Sequence, residues 1–439
     1  MDESINIFWF RRDLRLDDNC GLYKALSGNL KVLLVFIFDT DILNKLGNKT
    51  DGRVQFIHNE LQQLKIKLEQ KGSSLLIYNT TADEAFNNLV NSYNIKNVFT
   101  NSDYEPHGIA RDERIGALLA KRNINFYSFK DMVIFEKNEV IKDDNTPYLV
   151  FTPYSKKWKE RLITNPILFY PSEDVLHNLY KINPLPFPSM EDIGFKTSTL
   201  RFPDKKLNLD KIKNYESNRD IPSVDGTSKL GIHIRFGTIS IRKILEQAIS
   251  VSEKYLNELI WREFYQTILY HFPYVVNSAF KKEYNTIEWS NNENYFYLWC
   301  NGQTGFPLVD AGMRELNSTG YMHNRVRMIV SGFLTKNLFI DWRWGEAYFA
   351  EKLLDFELAS NNGGWQWAAG CGVDAAPYFR VFNPELQAQK FDASDEYIKK
   401  WIPEYNSVNY MQPIVDYKTS KQQTIEKYKQ ALNNHLILK

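Results

Sequence analysis

Cysteine is nearly missing from this chain. Three occur in 439 residues, Cys20, Cys300 and Cys371, far apart and without a CxxC pair. They cannot supply the four thiolates of an iron–sulfur cluster, and the spacing suggests a reducing, cytoplasmic setting. Net charge is also missing: 54 Lys and Arg face 53 Asp and Glu, which leaves +1. A global polycation is excluded, so any contact with nucleic acid must come from a local patch. Lys281-Lys282, Lys399-Lys400 and the stretch Arg325–Arg327 are candidates, each of which could equally be a solvated face. No apolar run reaches the length of a membrane-spanning helix. The opening MDESINIFWFRRDLRL places acids before a short apolar run, unlike a signal peptide. No GxGxxG follows the first strand-like run, so the dinucleotide fingerprint is absent. Internal repeats and low-complexity segments are absent too, and no metal site is expected.

What the chain has in excess is aromatic side chains. They make up 14% of it, and eight of the ten tryptophans fall between Trp261 and Trp401. The C-terminal half is where flat groups could stack, although core filling explains the bias as well. NNGGWQWAAG (361–370) concentrates the question. A core strand could alternate aromatics in this way, but its glycines would weaken it.

Periodicity divides the chain. Apolar runs at 5–10, 31–39, 73–79, 97–105 and 124–129 predict strands, and helical patterns lie between them at 21–25, 54–70, 82–92 and 107–121. Strands alternating with helices predict a doubly wound, five-stranded parallel sheet covered on both faces. This α/β domain is expected over 1–130. Residues 131–206, with the proline cluster NPLPFPSMED (183–192) and a helix near 153–162, are expected to form an interdomain linker. From 207 to 439 strand signals nearly vanish. Helical period recurs at 240–249, 254–271, 308–317, 322–338, 345–355 and 393–401, which predicts a mostly helical second domain.

Three segments carry candidate chemistry. In NELIWREFYQTILYH (257–271), Glu258, Trp261, Arg262 and Tyr265 share one helical stripe. Such a stripe could be a surface stabilised by Glu–Arg pairing or the lining of a cavity. In YMHNRVRMIVSGFL (321–334), Asn324, Arg327 and Met328 fall together. An arginine so close to apolar residues needs a carboxylate, and Asp355 is the candidate. TSKLGIHIRFGTIS (227–240) offers two hydroxyls and a lysine before a helix start, a pattern that binds phosphate or merely caps the helix.

FWFRRDLRLDDN (8–19), TSKLGIHIRFGTIS, NELIWREFY, GFPLVDAGMRELNSTGYMHNRVRM (305–328) and LASNNGGWQWAAGCGVDAAPYFRVFNP (358–384) together resemble the photolyase/cryptochrome family. They are most similar to class I cyclobutane pyrimidine dimer photolyases. The resemblance covers nearly the whole chain, in order. It implies FAD, active when reduced, in the helical domain. Tyr215, Thr227, Ser228, Lys229, Leu230 and Gly231 are then expected around its phosphates. Arg262, Arg327, Asp355, Phe356 and Glu357 are expected beside its ring and ribityl chain, and Asn361 at the flavin N5. Glycines Gly363 and Gly364 are expected to let backbone approach the flavin. Trp365, Trp342 and Trp289 are expected to form an electron-transfer chain leading outward, with Trp344 as a possible branch.

The lesion pocket implied by the resemblance takes Glu258, Trp261, Trp367, Asn324 and Met328, with Arg262 and Tyr265 on the same helix and Arg219 and Arg325 on DNA phosphates. Photolyases are among the enzymes known to extrude their target nucleotide, so a flipped dimer is the implied ligand. The partner is UV-damaged DNA, the protein is expected to act as a monomer, and no protein partner is required. Asn361, where photoreceptor members carry cysteine or aspartate, favours repair over a cryptochrome's signalling. A single histidine, His323, followed by Asn324, disfavours the (6-4) lesion, whose repair enzymes carry a histidine pair. A DASH-type member is the remaining alternative. His107-Gly108 stands where folate-binding relatives carry Asn-Glu, so an antenna chromophore, if bound, is expected to be a deazaflavin or flavin.

Overall fold

The computed structural model describes residues 3–437. The chain forms two compact units. One comprises Met1–Glu139, Trp158–Leu207 and Lys229–Ser250, the other Val140–Lys157, Asn208–Ser228 and Val251–Lys439.

In the first unit, β1 (Ile5–Phe10), β2 (Val32–Asp39), β3 (Leu75–Thr80), β4 (Ile95–Asn101) and β5 (Asn125–Phe129) make one parallel sheet in the order β3-β2-β1-β4-β5. Phe8 lies opposite Leu34 on one side and Phe99 on the other. Every residue of β1 and β2 is buried, which is why both read as unbroken apolar runs instead of alternating ones. The connecting helices are α1 (Cys20–Leu26), α2 (Gly52–Glu69), α3 (Ala82–Ser92) and α4 (Pro106–Ala120). Asn19, Asp51 and Thr81 cap the first three by accepting from the N–H groups of Leu22, Arg53 and Glu84, and α4 opens on a proline. The fourth strand ends at Asn101, short of the expected residue 105. Asp103 Oδ1 accepts from the N–H groups of Tyr104 and Glu105 at 2.8 and 3.1 Å, and this local turn competes with the ladder.

The segment 229–250, far along the sequence, belongs to this unit and carries α5 (Ile241–Ala248). A buried charge network holds it. Arg242 donates to Asp131 at 2.8 Å and to Asp18 at 2.9 Å, and Arg15 grips Asp131 at 2.7 and 2.8 Å.

The second unit is helical. It contains α6 (Glu253–His271), α7 (Pro307–Thr319), α8 (Asn324–Lys336), α9 (Trp342–Lys352), α10 (Leu358–Ala369) and α11 (Tyr417–Ile437). Its main core gathers Trp299, Phe333, Trp342, Phe349 and Trp365. Helix α10 is NNGGWQW itself, and periodicity does not announce it. Asn and Gly are poor helix formers. Its conformation is set from outside: Asn362 and Gln366 donate to the Val275 carbonyl at 3.0 and 2.9 Å, and α6, α8 and α9 all pack on it. Gly363 meets the Tyr265 ring so closely that a Cβ there would overlap it, whereas Gly364 has open space. The close approach that Gly363 permits is therefore to Tyr265.

Among the described residues no helix is long and apolar enough to cross a membrane, and no cluster of three or more His, Cys, Asp or Glu could hold a metal ion.

Candidate active site

Helix α6 turns the stripe Glu258, Trp261, Arg262 and Tyr265 into one wall of a cavity of about 410 Å³, a size in the range of small-ligand sites. The open alternative from the sequence is settled: the stripe lines a cavity. Asn324, Arg327 and Met328 enter from α8. Asp355, Phe356 and Glu357 come from the turn before α10, and Asn361, Gly364, Trp365 and Trp367 from α10 itself. Ser331, Phe349, Leu353 and Ser360 complete the lining, and none of these four carried a signal in the sequence.

The Glu258 carboxylate pairs with Arg219, which reaches it from another part of the chain, and not with Arg262 one turn away. Burial pushes the Glu258 carboxyl above the usual carboxylate range, and Arg219 pulls against that rise. Asp220 continues the row: Arg325 donates to it at 2.7 Å, and Arg219 lies 3.7 Å from the same oxygen. The order Glu258, Arg219, Asp220, Arg325 alternates in sign, and both arginines remain partly exposed, at 23% and 18%.

The other cations of the cavity have their own partners. Arg262 donates to Glu357 at 2.7 Å, and Gln266 donates to the same oxygen at 3.0 Å. Arg327 donates to both oxygens of Asp355 at 3.1 and 2.9 Å and to the Met322 carbonyl at 2.7 Å. Burial alone would lower the Arg327 pKa, but Asp355, with Tyr321 and Glu315, raises it above the ordinary value, so the guanidinium stays charged. Asn361 donates to the Glu346 carbonyl at 3.1 Å and to Glu346 Oε1 at 2.8 Å. A backbone carbonyl can only accept, so the amide nitrogen must face Glu346. Oδ1 is then the polar atom that Asn361 presents to the cavity.

The aromatic walls are braced. Trp261 stacks on Phe151 with centroids 3.8 Å apart and planes within 5°. Trp365, 2% exposed, touches Phe349 at 4.9 Å and Trp299 at 6.1 Å. Trp342 and Trp289 lie outside the lining. Trp342 is buried in the same core as Trp365, with the Arg343 guanidinium 4.6 Å over its ring. Trp289 is partly exposed, packs against that core, and touches Phe339 and Tyr428 at 5.1 and 5.8 Å. Trp344 meets Phe296, which stacks on Trp299. Trp299 and Glu346 are the contacts that sequence reasoning missed. The first was readable only as one more aromatic in YFYLW, the second not at all.

The remaining expected residues lie off the cavity. Tyr215 is buried against Tyr255, and the Arg219 guanidinium lies 5.4 Å over its ring. The Thr227 hydroxyl bonds that of Tyr321 at 3.0 Å, and burial lifts the Tyr321 phenol to about 12. Ser228 accepts from the Tyr255 hydroxyl at 3.1 Å. Lys229, Leu230 and Gly231 belong to the first unit. Lys229 has φ +53°, and Leu230 starts the short helix Gly231–Arg235 without a side-chain cap. Arg325, besides its bond to Asp220, lies 4.5 Å over Phe391.

One cavity that gathers a fixed amide acceptor, two paired arginines, a half-buried carboxylate and two indoles suits a flavin ring and a second flat ligand. Comparison with known proteins agrees. Residues 6–171 match the DNA photolyase domain and residues 255–409 the FAD binding domain of DNA photolyase. The deoxyribodipyrimidine photo-lyase of Alkalihalophilus pseudofirmus is 36% identical, over 92% of this chain and 88% of that protein. A class III photolyase from Agrobacterium tumefaciens superimposes with a TM-score of 0.85 at 28% identity, covering 98% of both chains. An archaeal photolyase from Sulfolobus tokodaii, solved with two FAD molecules, gives 0.79 at 33% identity over 97% of this chain and all of that one. The fold and the site define a flavin-binding enzyme of light-driven chemistry. The chain belongs to the DNA photolyase family.

Proposed function

We propose that this chain repairs cyclobutane pyrimidine dimers in UV-damaged DNA under light, as a deoxyribodipyrimidine photo-lyase. One observation carries the reading. A single cavity is lined by a fixed amide that suits a flavin edge and, on α6 and α10, by a carboxylate and two indoles that suit a flipped dimer.

Asn361, Arg327, Asp355, Phe356, Arg262 and Glu357 would hold FAD in this cavity, with Tyr215, Thr227 and Ser228 serving its phosphates. The chemistry a bound reduced FAD supplies is one electron, lent to the dimer on light absorption and returned after the ring opens. Trp261 and Trp367 would stack on the dimer, and Asn324 and Met328 would lie beneath it. Glu258 would hydrogen-bond its polar edge, and Arg219 and Arg325 would engage phosphates. Excluding water from this space strengthens every such contact. Trp365, Trp342 and Trp289 would carry a hole outward when the cofactor must be reduced.

His323 supports a cyclobutane dimer over the (6-4) lesion. Its Nδ1 accepts from the Arg325 N–H at 3.2 Å as a helix cap, and the next residue is asparagine. Gly108 bears on the antenna. A Cβ there would come within 2.5 Å of the Asp103 carboxyl carbon, and that carboxyl is held by Arg12 at 3.2 Å. A glutamate at 108 cannot enter without displacing it, which supports a deazaflavin or flavin antenna over a folate.

The test is light-dependent repair. The reduced protein should clear a thymine dimer from an oligonucleotide under blue light, not in darkness, and leave a (6-4) product intact. Persistence of the dimer under light would refute the proposal.

A further inference from the structure

The free protein already spends its rim arginine on the pocket acid. Arg219 is paired with Glu258, and Asp220 stands between Arg219 and Arg325. An ionised carboxylate is a poor match for a pyrimidine dimer. Each base offers an N–H donor and a carbonyl acceptor at its edge, and a carboxylate can only accept. A negative charge would also oppose the electron that the dimer receives. A protonated carboxyl both donates and accepts, and it carries no charge.

On the repair reading proposed above, we infer that Arg219 is a positioning residue that acts through Glu258: a DNA phosphate draws Arg219 away, and Glu258 then takes up a proton and meets the dimer as a neutral acid.

The surroundings of Glu258 decide the direction. Arg219 is the strongest stabiliser of its charge, and Lys254 on α6 adds a weaker one. Asp220 opposes the charge, as burial does. Tyr215, Tyr255 and Tyr265 also face it, and burial raises each of their phenols, so all three stay neutral. The other cations of the cavity, Arg262 and Arg327, are paired with Glu357 and Asp355. With Arg219 turned to phosphate and a flat ligand covering the pocket, only the weaker pull of Lys254 remains against burial and Asp220, and the balance moves toward the neutral acid. The sign follows: the bound-state pKa lies above the free-state one, so binding takes up a proton between the two values and none beyond either end.

The experiment is calorimetric titration of the FAD-loaded protein with a dimer-bearing duplex, in darkness, from pH 5 to 8. Buffers of different ionisation enthalpy report proton exchange. The wild type should take up as much as about one proton per lesion at the pH of maximal linkage. Undamaged duplex should give little. Glu258→Gln should abolish the uptake. Arg219→Met should shrink it, because Glu258 then begins nearer its bound-state protonation. Dimer-specific binding without proton uptake across this range overturns the inference, as does uptake that survives in Glu258→Gln. Failure to prefer the dimer-bearing duplex at all overturns the repair reading and this inference with it.

Discussion

Asn361 gives both hydrogens of its amide to one residue, Glu346, through the backbone carbonyl and the side chain. Glu346 is half-buried, and burial lifts its carboxyl above the usual range while the Asn361 bond opposes the rise. The pair fixes which end of the amide meets a bound flavin. An oxygen there accepts a hydrogen bond from the reduced ring and favours that redox state. Replacing Glu346 with leucine leaves only the backbone anchor. One hydrogen bond is worth about 1 kcal/mol, or roughly 20 mV for a two-electron couple, so the flavin midpoint potential should fall by that order. Spectroelectrochemistry of Glu346→Leu against Glu346→Gln checks it, and the glutamine variant should stay near wild type.

The two glycines of α10 should part company on substitution. Gly363→Ala forces a methyl into the Tyr265 ring and should cost about 1–3 kcal/mol of stability. Gly364→Ala meets open space, and the gain in helix propensity should stabilise the flavin-free protein by up to about 1 kcal/mol. The same methyl faces the cavity, so FAD affinity should drop. Thermal unfolding with and without FAD separates the two effects.

Phe151 fixes the plane of Trp261. Phe151→Ala removes a stacked pair worth about 0.5–1.5 kcal/mol beyond area burial. Affinity for a dimer-bearing oligonucleotide should fall several-fold, with affinity for undamaged DNA nearly unchanged. A binding titration in darkness reads both.

Acid should strain the first unit through Asp131. Burial alone would raise this carboxyl, but Arg15 and Arg242 hold it below the ordinary range. A folded-state pKa below the unfolded one contributes stability above about pH 4 and loses it as pH falls through the folded value. Asp131→Asn leaves two buried guanidinium groups without that charge and should cost about 3–5 kcal/mol near neutrality. The variant should also show a shallower loss of stability below about pH 4, measured by urea unfolding.

Much of this architecture is legible in the sequence. The buried runs of β1 and β2 and the 3.6-residue period of α6 are local signals, and both survive folding. Hydrogen bonds and packing across the chain are not local. Helix α10 is made by Val275, Tyr265 and three neighbouring helices, so its own residues argue against it. The Glu258–Arg219 pair joins positions 39 residues apart, and the tempting partner Arg262 is taken by Glu357. The Asn361–Glu346 contact depends on how α9 meets α10, which no spacing announces. Serine and leucine can line a cavity without any chemical signature, so Ser331 and Leu353 were invisible until the walls were assembled.

The claim beneath all of these is that a flavin and a pyrimidine dimer share one cavity at electron-transfer distance. Fluorescence of the fully reduced, FAD-loaded protein tests it most directly. Saturating dimer-bearing DNA should quench the flavin emission, undamaged DNA of the same sequence should not, and illumination of the quenched sample should restore intact pyrimidines. Tight, dimer-specific binding that leaves the emission unchanged would place the lesion somewhere other than beside the flavin and contradict the account.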